Sequence, residues 1–147
     1  MKKISKLYFA LASLIMAIAF QSCVDADELT TPNVASPVLV LLTGSSFESD
    51  SKVIVNSKFL ELDKTNILDK SIGIDSIPVA NLDIRVFYNT TTEVAALTTD
   101  DAGSAILDVT WQELGLSTAA PGTQVRLEFT GTYKNIPFRR YHSVQVK

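Results

Sequence analysis

From Thr123 to Tyr133 the chain alternates with a period of two. Val125, Leu127, Phe129 and Tyr133 share one parity, and Gln124, Arg126, Glu128, Thr130 and Thr132 occupy the other. Sustained over eleven residues, this describes a strand with one face in a core and the other in water, because successive side chains of an extended chain point to opposite sides. Leu82–Tyr88 repeats the pattern with Leu82, Ile84, Val86 and Tyr88 inward, and Ser104–Trp111 does so with Ala105, Leu107, Val109 and Trp111. Val38–Leu42 is an unbroken apolar run, short enough for a strand covered on both faces. Lys52–Leu62 starts with Val53, Val55 and Phe59 on one parity and then moves to Leu60 and Leu62, which predicts a bulge or bend at Lys58–Phe59. With Thr92–Thr98 and Phe138–Val146 the count reaches about seven strands, and the expected fold is an all-β, antiparallel sandwich of two sheets.

The connecting segments agree. Thr99-Asp100-Asp101-Ala102-Gly103 has the composition of a tight turn, with Gly103 able to take positive φ. Thr110-Trp111-Gln112-Glu113 has capping-box spacing and Gly115 follows, so one short helical turn is expected there, folding Trp111 over one end of the core. Asn135-Ile136-Pro137 is expected to close the last hairpin.

Two motifs carry a resemblance. Pro78-Val79-Ala80-Asn81-Leu82-Asp83-Ile84 resembles the P-V-A-N-V-x-V entry of bacterial immunoglobulin-like domains of the invasin/intimin type. Thr98-Thr99-Asp100-Asp101-Ala102-Gly103-Ser104-Ala105 resembles their T-T-D-x-x-G-x-A turn. Both motifs are also similar to those of transthyretin-like modules such as carboxypeptidase regulatory domains. The resemblance spans residues 37–147 and departs from the family in the insert Asp63–Ile77 and in the turn at Trp111. It implies an immunoglobulin-like β-sandwich at a cell surface and carries over no catalytic residue.

The other end of the chain is an address. Lys2, Lys3 and Lys6 precede an uncharged run from Leu7 to Phe20, and Gln21-Ser22-Cys23 closes it. This is the layout of a secretory signal, and the run is shorter than the roughly 20 apolar residues that span a bilayer. The chain has one cysteine, and it stands where a lipoprotein signal peptidase would cut, so the segment resembles a bacterial lipoprotein signal. Phe20 and Gln21 replace the usual aliphatic and small residues. The resemblance implies removal of residues 1–22 and attachment of acyl chains such as palmitate to Cys23. Val24-Asp25-Ala26-Asp27-Glu28 resembles the acidic cluster of surface-exported lipoproteins in one large group of Gram-negative bacteria. Localisation is therefore expected at the outer membrane facing outward, with its periplasmic face as the alternative. Residues 23–36, with Pro32 and no periodicity, read as a tether to a domain at 37–147.

Charge and residue inventory exclude several functions. Removing residues 1–22 takes three of thirteen basic residues and none of sixteen acidic ones, so the formal charge falls from −3 to −6. An acidic protein gains nothing from counterion release, and nucleic acid is not an expected partner. His142 is the only histidine, and no Gly-x-Ser-x-Gly elbow presents a nucleophile. Zinc needs three or four His or Cys ligands, which the chain lacks. Asp100, Asp101 and Asp108 offer oxygen to calcium but read better as turn formers. No enzyme activity, cofactor or metal is expected.

Two candidate sites remain. The stretch Thr132–His142 holds three cations, three aromatics and no acid, and Tyr133, Lys134, Arg139, Arg140 and Tyr141 suit a glycan or a partner surface protein. In the alternative, Tyr133 and Phe138 fill the core while the arginines blunt an edge strand. Asp75-Ser76-Ile77 resembles the acceptor of bacterial O-glycosylation, which makes Ser76 the second site. The function expected is a non-catalytic, lipid-anchored binding or adhesion module, or an accessory subunit of a surface complex. A structural spacer or periplasmic assembly factor is the alternative.

Overall fold

The computed structural model describes residues 36–147, which form nine strands and no α-helix. They are β1 (Leu39–Thr43), β2 (Ser46–Phe47), β3 (Val53–Asp63), β4 (Asp75–Pro78), β5 (Asp83–Tyr88), β6 (Thr92–Thr98), β7 (Ser104–Val109), β8 (Gln124–Tyr133) and β9 (Ile136–Val146). Seven are the segments expected from the sequence; β2 and β4 are additions, too short for alternation to reveal. One sheet has β3 at its centre with β1, β4 and β7 as its neighbours, and the other runs β2-β9-β8-β5-β6. Every pairing is antiparallel except the short one of β2 with β9.

The inward parities of both sheets meet in one core. Val53, Val55, Phe59 and Leu107 come from one sheet, and Ile84, Val86, Leu127, Phe129 and Val144 from the other. Each such burial contributes about 1.5–3 kcal/mol. The rings of Phe59 and Phe138 join the two sheets, with centroids 5.9 Å apart and planes tilted by 55°. Val38 and Val40 are buried, but Leu39 and Leu41 are 38% and 45% exposed. The first apolar run is thus covered on one face, not two, because no described element lies over the outer side of its sheet.

At Lys58–Phe59 β3 changes neighbours. It pairs with β7 from Val53↔Val109 to Lys58↔Ser104, then with β4 from Leu60↔Pro78 to Asp63↔Asp75. Along β1 the register is unbroken from Leu39↔Leu60 to Thr43↔Asn56, so the shift in the apolar pattern is not a bulge. Leu60 lies on the outward parity and is buried because Leu39 and Pro78 flank it. Phe59 makes the handover itself. Its N–H donates to the Gly103 carbonyl (2.8 Å), and its carbonyl accepts from the Val79 N–H (3.0 Å).

The two motifs that carried the resemblance form one hydrogen-bonded corner around this point. The buried Thr99 hydroxyl donates to the Val79 carbonyl (2.6 Å) and accepts from the Leu82 N–H (2.9 Å). Asp100 Oδ1 accepts from the N–H groups of Ala102 (2.9 Å) and Ser104 (2.8 Å), so this carboxylate holds the turn. Gly103 sits at φ +70, where a Cβ would lie 2.5 Å from the Phe59 oxygen and 2.9 Å from the Val79 nitrogen.

Two turns differ from expectation. At Trp111 the capping box forms: Glu113 Oε2 accepts from the Thr110 N–H (2.6 Å) and hydroxyl (2.8 Å), and the Glu113 N–H donates to Thr110 Oγ1 (3.3 Å). One i→i+4 bond closes, from the Leu114 N–H to the Thr110 carbonyl (3.3 Å), but no helix continues from it, because too few residues separate the cap from Gly115 for propagation to offset nucleation. The Gly115 N–H instead reaches back to Gln112, and that of Leu116 to Trp111. Trp111 is still buried over the core end and donates its indole N–H to the Glu48 carbonyl (3.0 Å). In the last hairpin Lys134 (φ 50) and Asn135 (φ 63) are the turn, and Tyr133 pairs with Ile136. A two-residue hairpin loop of type I′ takes positive φ at both central positions, as here, and this places the turn ahead of Pro137. Pro137 is tolerated on β9 because that stretch is a sheet edge; β2 covers only Gln145 and Val146.

Gly103→Ala is expected to lower the unfolding free energy by roughly 2–3 kcal/mol, since backbone strain and collision act together. Gly73 has the same φ of +70 with nothing within 4 Å of a Cβ. Gly73→Ala should cost about 1 kcal/mol, the left-handed penalty alone. Urea titrations of both variants check the difference.

Candidate functional site

On the outer face of the five-stranded sheet, two cross-strand rows bring chemistry together. Phe87, Glu128 and Tyr141 stand side by side on β5, β8 and β9, and Arg85, Thr130 and Arg139 form the next row. Glu128 lies on the parity assigned to water, yet it is only 3% exposed. The Arg139 Nε is 2.6 Å from its Oε1. Its Oε2 is buried and has no hydrogen-bond partner among the described residues. Taking a carboxylate out of water is costly unless its lone pairs are satisfied, so half of this group is left uncompensated.

The surroundings are aromatic and cationic. Arg139 donates from its guanidinium to the Tyr141 hydroxyl (3.3 Å), and the Arg126 guanidinium lies 3.7 Å from the centre of the Tyr141 ring. The Tyr141 hydrogen bond, followed by the Glu128 charge, raises the Arg139 pKa further above its ordinary value. Arg85 pairs with Glu93 of β6 at 3.3 Å. Arg85, Phe87, Thr90, Glu128, Thr130 and Arg139 line an open groove of about 620 Å³.

The five hairpin residues singled out from the sequence do not form one patch. At the tip, the Tyr133 hydroxyl donates to Glu61 Oε2 (2.7 Å) and Lys134 is ion-paired with the same carboxylate. Glu61 belongs to β3, so these two residues clasp one sheet to the other. Arg139 and Tyr141 face outward beside Glu128. Arg140 shares the parity of Phe138 without any register shift, and it is exposed because β9 is an edge strand at this point. Adjacent in sequence, the residues are divided by strand alternation.

Among the remaining candidates, His142 is part-buried and its Nε2–H donates to the Gly44 carbonyl (2.7 Å), tying β9 to the segment after β1. Ser76 is exposed on β4, with its N–H donated to Asp75 Oδ1 (2.8 Å). Cys23, the signal segment and all of the tether before residue 36 lie outside the described residues. Sequence reasoning missed Glu128, Arg85, Phe87 and Arg126 as site residues. The one signal available was an acid in the middle of β8, and nothing local showed that rings from two other strands flank it.

The Glu61 cluster has a defined pH window. Hydrogen bonds from Lys134 first and Tyr133 second hold Glu61 below its ordinary value of 4.5, while Glu61 raises Tyr133 above 10.0 and Lys134 above 10.5. A lowered carboxylate stabilises above its unfolded value and loses that contribution as pH falls through the folded one. The raised tyrosine and lysine stabilise below their unfolded values and lose it as pH rises through the folded ones. The stability gap between wild type and Glu61→Gln should therefore be constant from about pH 5 to about pH 9.5 and shrink on both sides, as read from urea titrations across pH.

The two neighbouring arginines should also behave differently. Arg139→Ala strips the partner from a buried carboxylate and should lower the melting temperature by several degrees. Arg140→Ala should leave it within about a degree or two, as at ordinary surface positions. Thermal melts of the single variants measure both.

No protein-family model, curated protein or solved structure matches this chain, and the reading of the groove rests on its own chemistry.

Proposed function

We propose that this chain is a lipid-anchored binding module of the bacterial cell surface, non-catalytic, built on an immunoglobulin-like β-sandwich. The strand order supports the fold assignment. β1, β3 and β7 lie in one sheet and β5, β8 and β9 in the other, the distribution of the A, B, E and C, F, G strands of such domains. The observation that carries the binding reading is the groove over Glu128, where a buried carboxylate with an unpartnered oxygen is ringed by arginines and aromatics. A group left unsatisfied inside a protein points to function when no structural role completes it.

Cys23 carries the lipid in this reading and holds the module at the outer membrane, with the acidic residues after it directing export to the outer face. A glycan or another surface protein is the partner, either for adhesion or within a larger complex. Ser76 is a glycosylation acceptor, and its exposure on an edge strand leaves it open to an enzyme. The competing function is a spacer or periplasmic assembly factor.

Protease shaving of intact cells tests the placement, with a periplasmic protein as control and mass spectrometry of the released peptides. Loss of the domain while the control survives is expected, together with a sugar-sized mass increment on the peptide containing Ser76. Survival of the domain until lysis would sink the surface assignment, and an unmodified Ser76 peptide from native cells would remove the glycosylation.

A further inference from the structure

We propose that the groove over Glu128 binds a neutral saccharide; this rests on the reading of the chain as a binding module and names the ligand class. The charges that line the groove are paired, Arg139 with Glu128 and Arg85 with Glu93, and Arg126, outside the lining, lies over the Tyr141 ring, so no lining charge is left over for an ionic ligand. Unused hydrogen-bonding capacity of both kinds remains. Glu128 Oε2 can accept, the Arg85 guanidinium has N–H groups beyond the Nε that faces Glu93, and the Thr130 hydroxyl can do either. A sugar hydroxyl is both donor and acceptor, and a ring bearing several of them at fixed spacing matches this mixture.

The apolar part of the groove fits the same ligand. Phe87 is half-buried and lines the groove together with Pro137, so a C–H face of a pyranose can lie against a ring while its hydroxyls turn to Arg85 and Glu128. The cavity of about 620 Å³ falls within the roughly 300–1,000 Å³ typical of small-ligand sites. Glu128 Oε2 is covered in the free protein. The Arg139 side chain, 61% exposed and attached to Oε1, is the neighbour able to shift and admit a hydroxyl. Binding then completes a carboxylate that the protein alone leaves half-satisfied.

The test uses the full-length chain in a detergent without a sugar headgroup. Calorimetric titration is run against neutral gluco-, galacto- and manno-oligosaccharides, uronic-acid oligosaccharides and unblocked tripeptides. Binding of at least one neutral series is expected, weakened about tenfold or more by Glu128→Gln and by Arg85→Ala, since a hydrogen bond to a charged group is lost in each. Arg85 is largely exposed, so its variant keeps the test meaningful even where Glu128→Gln unfolds. The proposal is overturned by the absence of binding to every neutral saccharide, by binding confined to uronic acids or tripeptides, or by neutral binding that survives Arg85→Ala. The surface-module reading fails in a different assay, the shaving of intact cells, so the two failures are distinguishable.

Discussion

The backbone of Phe59 is the point on which the architecture turns. Its N–H is held by the turn before β7 and its carbonyl by the residue after β4, while its side chain lies in the core against Phe138 of the opposite sheet. One residue therefore fixes three things: where β3 changes partner, how closely the Thr98–Ala105 turn approaches Pro78–Leu82, and where the two sheets touch. Gly103 is required there because backbone occupies the space a side chain would need. The hydroxyl of Thr99 completes the corner by satisfying a carbonyl and an N–H that are otherwise left inside the protein.

Polar clasps close the core at both ends of β3. Trp111, beyond the Val53 end, is held by the Glu48 carbonyl, and Tyr133 with Lys134 reaches Glu61 near the Asp63 end. These contacts use up groups that looked free in the sequence. With Phe138 in the core, three of the six cations and aromatics of the last hairpin serve the fold, which concentrates the functional question on the outer face of the five-stranded sheet. There the partner of Arg139 is a carboxylate buried on the side of a strand that ordinarily meets water.

The fold was legible because its signals are local. Period-two alternation in Ile84–Val86 and Ala105–Val109 survives folding unchanged, and in Val125–Phe129 the side-chain directions do although Glu128 is buried, since parity along an extended chain is a property of the backbone alone. The turn at Asp100–Gly103 and the capping box at Thr110–Glu113 were readable for the same reason: their partners lie within four residues. Expectations failed where a neighbour distant in sequence decides the outcome. The apolar shift at Phe59 reflects a change from β7 to β4, and the exposure of Leu39 and Leu41 reflects a sheet with nothing described over its outer face.

By itself the sequence determined seven of the nine strand segments, their inward faces, the all-β class and the candidate hairpin, all consequences of short-range geometry. Tertiary structure alone decided that Glu61, 72 residues away, takes Tyr133, that Arg140 escapes past an edge, and that Phe87, Glu128 and Tyr141 share one row. The reason is cross-strand register. Which residues stand opposite one another depends on how the strands pair, and pairing is settled by the packing of the whole core.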